Sequence, residues 1–156
     1  LEHSIGTGFD KSQNAIELAR ENLRGKICEK RVCFELMDWN DLTPKTLGDS
    51  IHLVVSNPPY LTEHEWSDSM PEVWEHDPKS ALVAEENGLA DIFKVIEVSS
   101  ILLVKGGLFV MEIGKGQAKK IEDQVKLFYS RFEFSKDLHG VRRFLWASKD
   151  SKFPWD

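Results

Sequence analysis

At 156 residues the chain has the size of one ordinary domain, and 41% hydrophobic with 29% charged residues is the composition of a globular protein built around one core. A formal net charge of -6 argues against binding nucleic acid through a broad basic surface, because phosphate neutralisation needs clustered Lys and Arg; a local basic groove stays open. Cys28 and Cys33 flank Lys30-Arg31 at a spacing that fits neither a zinc site nor a disulfide framework, so free buried thiols in a reducing compartment are expected. The five histidines are scattered without ligand spacing, and no metal is expected. No apolar run is long enough to span a bilayer and Leu1-Glu2-His3 does not begin a secretory signal, so neither a membrane nor secretion is expected.

Nothing repeats at a fixed period, and residues 1–156 read as a single domain in which strands and helices alternate. Residues 4–9 form a short apolar strand. From Asn14 to Leu23 the apolar Ala15, Ile16, Ala19 and Leu23 recur at helical spacing, with Ser12 placed to cap and Gly25 as the stop. Val32, Phe34 and Leu36 alternate as a strand ending at Asp38. Ile51 to Val55 form an apolar run that ends at Asn57-Pro58-Pro59, because proline offers no amide hydrogen to a ladder.

From Thr62 to Lys79 the chain is polar and broken by Pro71 and Pro78, yet it holds Trp66, Met70, Val73 and Trp74, the pattern of a long ordered loop. Its tryptophans would either wall a substrate site or pin the loop to the core. Leu89, Ile92, Phe93, Ile96 and Leu103 mark a long amphipathic helix closed by Gly106-Gly107, followed by a strand from Leu108 to Ile113. Ile121, Val125 and Phe128 mark another helix. Phe132 to Leu138 and Arg142 to Ala147 read as a closing pair of strands that turn at His139-Gly140.

This alternation predicts an α/β fold: a mostly parallel sheet with helices on both faces and a C-terminal antiparallel hairpin. Ligands of such sheets sit beyond the carboxyl ends of the strands, and Asp10, Asp38 and Asn57 all fall at such ends.

In Asn57-Pro58-Pro59-Tyr60 the Asn side-chain oxygen and the Pro58 carbonyl are two acceptors on a backbone stiffened by proline, a set that suits an NH2 group. A planar amide or exocyclic amine is a poor nucleophile because its lone pair is delocalised. Catalysis must therefore hold both hydrogens and aim the lone pair at a methyl carbon, with hydrogen bonds that strengthen as the nitrogen gains positive charge. Tyr60 can stack on the flat target group, and no strong base is needed, since the alkylated nitrogen loses its proton afterwards. The bland alternative is a plain turn after a strand; here the preceding apolar run and the two upstream strand-end aspartates favour function.

Asp10 precedes a helix where a carboxylate can accept both hydroxyls of a ribose, although a helix-start Asp occupies the same place for purely structural reasons. Asp38 could accept an adenine amino group with Trp39 bordering the ring, or simply end a strand. Gly6-Thr7-Gly8 could be a cofactor loop, but a lone Gly-x-Gly is weak, and it is placed inside the strand leading to Asp10. Glu112 could reach the pocket or be a satisfied strand-end carboxylate.

Taken together, the chain resembles the HemK/PrmC family, class I methyltransferases that modify the glutamine of the Gly-Gly-Gln motif in peptide-chain release factors. The resemblance rests on Phe9-Asp10-Lys11-Ser12, Asp38-Trp39, Ser56-Asn57-Pro58-Pro59-Tyr60-Leu61, Pro71-Glu72-Val73, Asp77-Pro78 with Ala81-Leu82, Gly88-Leu89-Ala90-Asp91-Ile92, Glu112-Ile113-Gly114 with Gln117, and Lys136-Asp137-Leu138-His139-Gly140 with Arg143. It implies a Rossmann-like fold with S-adenosyl-L-methionine as cofactor. It implies that Asn57 and the Pro58 carbonyl hold the glutamine amide while Pro59 and Tyr60 pack beside it, that Asp10 binds the ribose, that Asp38 and Trp39 lie near the adenine with Asn57 bordering the cofactor, and that the segment around Glu72 shapes the substrate pocket. A release factor would be the partner, in the cytoplasm or mitochondrial matrix.

Family members also carry, before the position of Asp10, a first strand with a Gly-rich loop and a helical domain. Neither is recognisable here, so the sequence is expected to be a truncated catalytic portion with weak cofactor binding. The family's acidic-Gly-Gly stretch is altered to Ala84-Glu85-Glu86-Asn87. An adenine-amino DNA or RNA methyltransferase, and an inactive subunit that needs a partner, are the alternatives.

Overall fold

The computed structural model describes residues 3–47, 50–153 and 155, and the Trp74 side chain, named above as a wall or a pin, lies outside what is described. Two compact units divide the chain, Leu1–Leu42 and Thr43–Asp156.

In the first unit, β1 (Gly6–Asp10) and β2 (Val32–Leu36) pair in parallel, Gly6 against Val32 and Asp10 against Leu36. Gly6-Thr7-Gly8 is thus strand and not a loop. A Cβ at Gly8 would lie 2.6 Å from the Phe34 ring, so the glycine lets that ring lie across β1. Between the strands, α1 (Gln13–Leu23) starts where the Ser12 hydroxyl accepts from the Ala15 amide at 3.3 Å, and Gly25 turns the chain out of it at φ 71°. Ile16, 1% exposed, anchors the helix. The free cysteines are not buried as expected: Cys28 is half-buried and Cys33 exposed, because Cys33 alternates to the open face of a two-stranded sheet, where its thiol lies 3.3 Å from the Thr7 hydroxyl.

The second unit runs through α2 (Pro44–Leu47), β3 (Ile51–Ser56), α3 (Glu63–Ser67), α4 (Pro71–His76), the single turn α5 (Glu85–Gly88), α6 (Ala90–Leu102), β4 (Leu103–Glu112), α7 (Ala118–Phe128), β5 (Arg131–Lys136) and β6 (Arg142–Ser148). Its sheet has the order β3-β4-β6-β5. β3 and β4 are parallel, and the closing hairpin lays β6 antiparallel between β4 and β5. This is the α/β class with the closing antiparallel hairpin that the alternation predicted, but the expected mostly parallel sheet is corrected: the described strands form two sheets, and because β6 inserts between β4 and β5 the larger one is mixed. The core lies where α6 and α7 pack on the sheet: Ile92, Ile96, Phe109, Met111, Ile121, Val125 and Leu145 are fully enclosed, each worth about 1.5–3 kcal/mol of burial.

Two further expectations are corrected. Thr62 to Lys79 is not a loop but two short helices and a 3₁₀ turn. Thr62 and Glu65 form a reciprocal capping box that starts α3, and Pro71 opens α4 at a position where its missing N–H costs nothing. The long helix ends at Leu102, earlier than Gly106-Gly107, and Leu103 already belongs to β4. The two glycines serve a register shift instead. Ile51 faces Leu103 but Leu53 faces Leu108, and Gly106, at φ 79°, turns the extra residues out of the ladder. No helix among the described residues is long and apolar enough to cross a membrane.

Candidate active site

β3 delivers Asn57. Ser56 is the last residue of the ladder, opposite Met111, and Asn57 follows it exposed, with no hydrogen-bond partner among the described residues. Pro58 and Pro59 are buried and Tyr60 is half-buried. Beyond them the chain is stitched down: the Tyr60 and Leu61 amides both donate to the Leu82 carbonyl at 3.1 and 2.9 Å, and the Ala84 amide returns a bond to the Leu61 carbonyl at 3.1 Å. A small cavity of about 70 Å³ is lined by Asn57, Pro58, Pro59, Tyr60 and Leu61 together with Ala81 and Leu82.

Both ends of Tyr60 are held. Its hydroxyl donates to Glu112 Oε1 at 3.0 Å, so Glu112, at the end of β4, does reach this turn. Burial raises the Tyr60 phenol above its ordinary pKa, and the Glu112 carboxylate adds to the effect, while the Arg143 guanidinium pulls the other way. The phenol therefore stays a donor throughout the neutral range. Arg143 is itself tied to Asp137 at 3.6 Å, and Asp137 accepts the His139 and Val141 amides at 2.9 Å in the turn of the closing hairpin.

At its other end, the Tyr60 carbonyl accepts from Gln117 Nε2 at 2.9 Å. The same nitrogen donates to the Gly88 carbonyl at 3.1 Å, and Gln117 Oε1 accepts from the Gly114 amide at 2.7 Å. Gly88 comes so close that a Cβ would run into the Tyr60 carbonyl, and it ends a left-handed turn with φ 52° at Glu86, 57° at Asn87 and 79° at Gly88. Sequence reasoning placed Gln117 and Gly88 only within a resemblance and gave neither a role. A usable signal was present: Gln117 stands one turn before Ile121 and Val125, a polar residue on the buried face of an amphipathic helix.

Glu72 lies exposed in the first turn of α4 and is not among the residues lining the Asn57 cavity. Trp66 is half-buried with Lys79 over its ring at 4.6 Å, which makes it a pin for α3.

In the first unit, Asp10 and Asp38 stand at the carboxyl ends of adjacent parallel strands, joined where the Met37 amide donates to the Asp10 carbonyl at 3.0 Å. Asp10 is exposed; its Oδ1 accepts the Ser12 amide at 2.7 Å and its Oδ2 has no donor among the described residues. Asp38 Oδ1 accepts both nitrogens of Asn40, at 2.8 and 2.7 Å, and so caps the 3₁₀ turn that carries the half-buried Trp39.

Residues 2–74 match the model of the UPF0020 family, described as an RMKL-like methyltransferase domain. The chain is 34% identical over 143 residues to a release factor glutamine methyltransferase of Bacillus cereus, covering 90% of this chain and 50% of that protein. It is 31% identical over 153 residues to the Rhodospirillum rubrum enzyme of the same name, covering 97% and 46%. By sequence the chain is related to these release factor glutamine methyltransferases. It spans about half the length of the relatives that it matches. The fold agrees: an S-adenosylmethionine-dependent O-methyltransferase from Thermotoga maritima superposes with TM-score 0.58 at 12% identity, over 95% of this chain and 51% of that one. An rRNA methylase from Streptococcus thermophilus superposes with TM-score 0.53, also at 12% identity, over 90% and 69%. The class I methyltransferase fold is thus shared with proteins of little sequence similarity.

Proposed function

We propose that residues 1–156 act as the catalytic portion of an S-adenosylmethionine-dependent methyltransferase that modifies the side-chain amide nitrogen of glutamine in the Gly-Gly-Gln motif of a peptide-chain release factor. The observation that carries this reading is the Asn57-Pro58-Pro59-Tyr60 turn, where an exposed, unpartnered carboxamide stands on a buried backbone pinned from behind. The names borne by the curated relatives support the same substrate.

Asn57 Oδ1 and the Pro58 carbonyl accept the two hydrogens of the substrate NH2, which fixes the amide plane and points the nitrogen lone pair out of it. Tyr60 and Pro59 pack beside that plane. S-adenosylmethionine supplies an electrophilic methyl group. Methyl transfer to the amide nitrogen would place positive charge on it, and Asn57 Oδ1 and the Pro58 carbonyl would then bind its hydrogens more tightly, which would lower the barrier. The acidified nitrogen then gives up one proton to water.

Asp10 and Asp38 fit the cofactor by the chemistry of their donor set: Asp10 keeps an exposed carboxylate oxygen for ribose hydroxyls, and Asp38 with Trp39 offers an acceptor beside an aromatic edge for adenine. Glu72 would meet the substrate polypeptide outside the Asn57 cavity.

The test is methyl incorporation from labelled S-adenosylmethionine into release factor, DNA and RNA in parallel. Label in release factor that disappears when its glutamine is replaced is the expected result. Label confined to nucleic acid would overturn the reading in favour of an adenine-amino methyltransferase.

A further inference from the structure

We infer that Gln117 is the positioning residue of the Asn-Pro-Pro-Tyr turn: its buried carboxamide fixes the Tyr60 backbone and, through the rigid Pro58-Pro59 pair, the place of Asn57. The catalytic part of this inference rests on the function proposed above; the structural part does not.

Gln117 is 5% exposed, yet its side chain makes bonds to three separate stretches of backbone. Oε1 takes the Gly114 amide just past β4, and Nε2 gives one hydrogen each to Tyr60 and Gly88. Only a carboxamide presents one acceptor and two donors in that plane. Two glycines make room for it, since a Cβ at Gly114 would lie 2.8 Å from Oε1 and a Cβ at Gly88 would lie 3.1 Å from Nε2.

From the Tyr60 carbonyl back to Asn57 the chain has little freedom. Proline fixes φ at residues 58 and 59 and biases the residue preceding each toward extended backbone. A displacement at Tyr60 is therefore passed to Asn57 and not absorbed between them. Gln117 touches no substrate atom; it acts through the turn.

Gln117→Met keeps the length and loses all three bonds, whereas Gln117→Glu keeps the acceptor for Gly114 and loses the donors to Tyr60 and Gly88. The experiment compares amide NMR spectra of the whole chain with methyl transfer to a release-factor glutamine peptide. Expected in both variants are shifted Tyr60 and Asn57 resonances, including the Asn57 side-chain NH2, with Ile121 and Val125 unmoved; the Gly114 amide loses its protection only in Gln117→Met. On the catalytic side kcat falls about tenfold or more while KM for S-adenosylmethionine stays within about twofold, the pattern of lost orientation and not lost binding.

Unmoved Asn57 and Tyr60 resonances in a folded Gln117→Met chain would overturn the positioning role, as would unchanged kcat in that variant. Shifts spread evenly over α7 would do the same, because they would mark a merely structural glutamine. If the unsubstituted chain transfers no methyl group to the peptide, the proposed substrate fails, and the resonances alone then decide the role of Gln117.

Discussion

Tyr60 donates its phenolic hydrogen to Glu112 Oε1 at 3.0 Å, tying the turn after β3 to the end of the neighbouring strand β4. The bond joins residues whose strands run in register from Leu53 opposite Leu108 to Ser56 opposite Met111, so the sheet itself sets the distance between them. Tyr60→Phe removes this bond while keeping the ring. The expected cost is about 1 kcal/mol in urea denaturation, the usual worth of one part-buried hydrogen bond. Methyl transfer should fall further than stability, because the freed ring no longer holds the target plane. Equal stability of Tyr60→Phe and the unsubstituted chain would show that the bond contributes nothing net.

Gly88 occupies a place that no other residue can share. Its φ of 79° is left-handed, and a Cβ there would collide with the Tyr60 carbonyl and come within 3.1 Å of Gln117 Nε2. Gly88→Ala should destabilise the chain by about 2 kcal/mol or more, from backbone strain plus the displaced carbonyl. Asn87→Gly, one residue earlier at φ 57°, is expected to be neutral or mildly stabilising for the opposite reason. Thermal melts of the two variants check the pair, and an unshifted Gly88→Ala melt would refute the argument.

The contrast between Gly88 and Gly106-Gly107 shows what a sequence displays and what it hides. Strand periods, the Ser12 cap and the closing hairpin were legible because each depends on neighbours in the chain. The end of β3 at Ser56 was legible because the prolines that follow cannot continue a ladder. The end of α6 is hidden because Gly-Gly looks the same as a helix stop and as a bulge, and only the pairing of Leu53 with Leu108 tells them apart. The helices within 62–79 are hard to read because Pro71 and Pro78 look like breakers, although Thr62 and Glu65 form a capping box and Pro71 starts a helix. The three bonds of Gln117 were beyond reach, because they join residues brought together only by folding.

Among the described residues β3 is an end strand of its sheet, and Leu53 and Val55 on it are 49% and 69% exposed. An unblunted edge with apolar side chains invites another strand. Light scattering of the chain at rising concentration should show association, and Val55→Lys should suppress it while leaving the urea midpoint nearly unchanged, within about 0.5 kcal/mol. Association that persists unaltered in Val55→Lys would place the sticky surface elsewhere.

Alkaline pH should reach the core through Tyr129. The ring stacks on Phe109 with centroids 5.7 Å apart and is 4% exposed. The Ser99 hydroxyl donates to the Ile96 carbonyl at 3.0 Å and lies in a 2.7 Å hydrogen bond with the Tyr129 hydroxyl, in which either oxygen can donate. Burial drives the phenol pKa far above its ordinary value, with the Ser99 bond a smaller opposing influence. The folded value lies above the unfolded one, so the contribution to stability is complete below the unfolded pKa of about 10 and declines as pH rises above it, while the folded phenol remains neutral and the unfolded one ionises. Urea midpoints should therefore be flat from neutrality to about pH 9.5 and fall beyond it. Tyr129→Phe should lower the neutral-pH stability by about 1 kcal/mol yet flatten the alkaline limb, because the group that ionises on unfolding is gone. Tyr60, also raised, is expected to leave a smaller residual slope. An alkaline limb as steep in Tyr129→Phe as in the unsubstituted chain would assign the pH dependence to other groups.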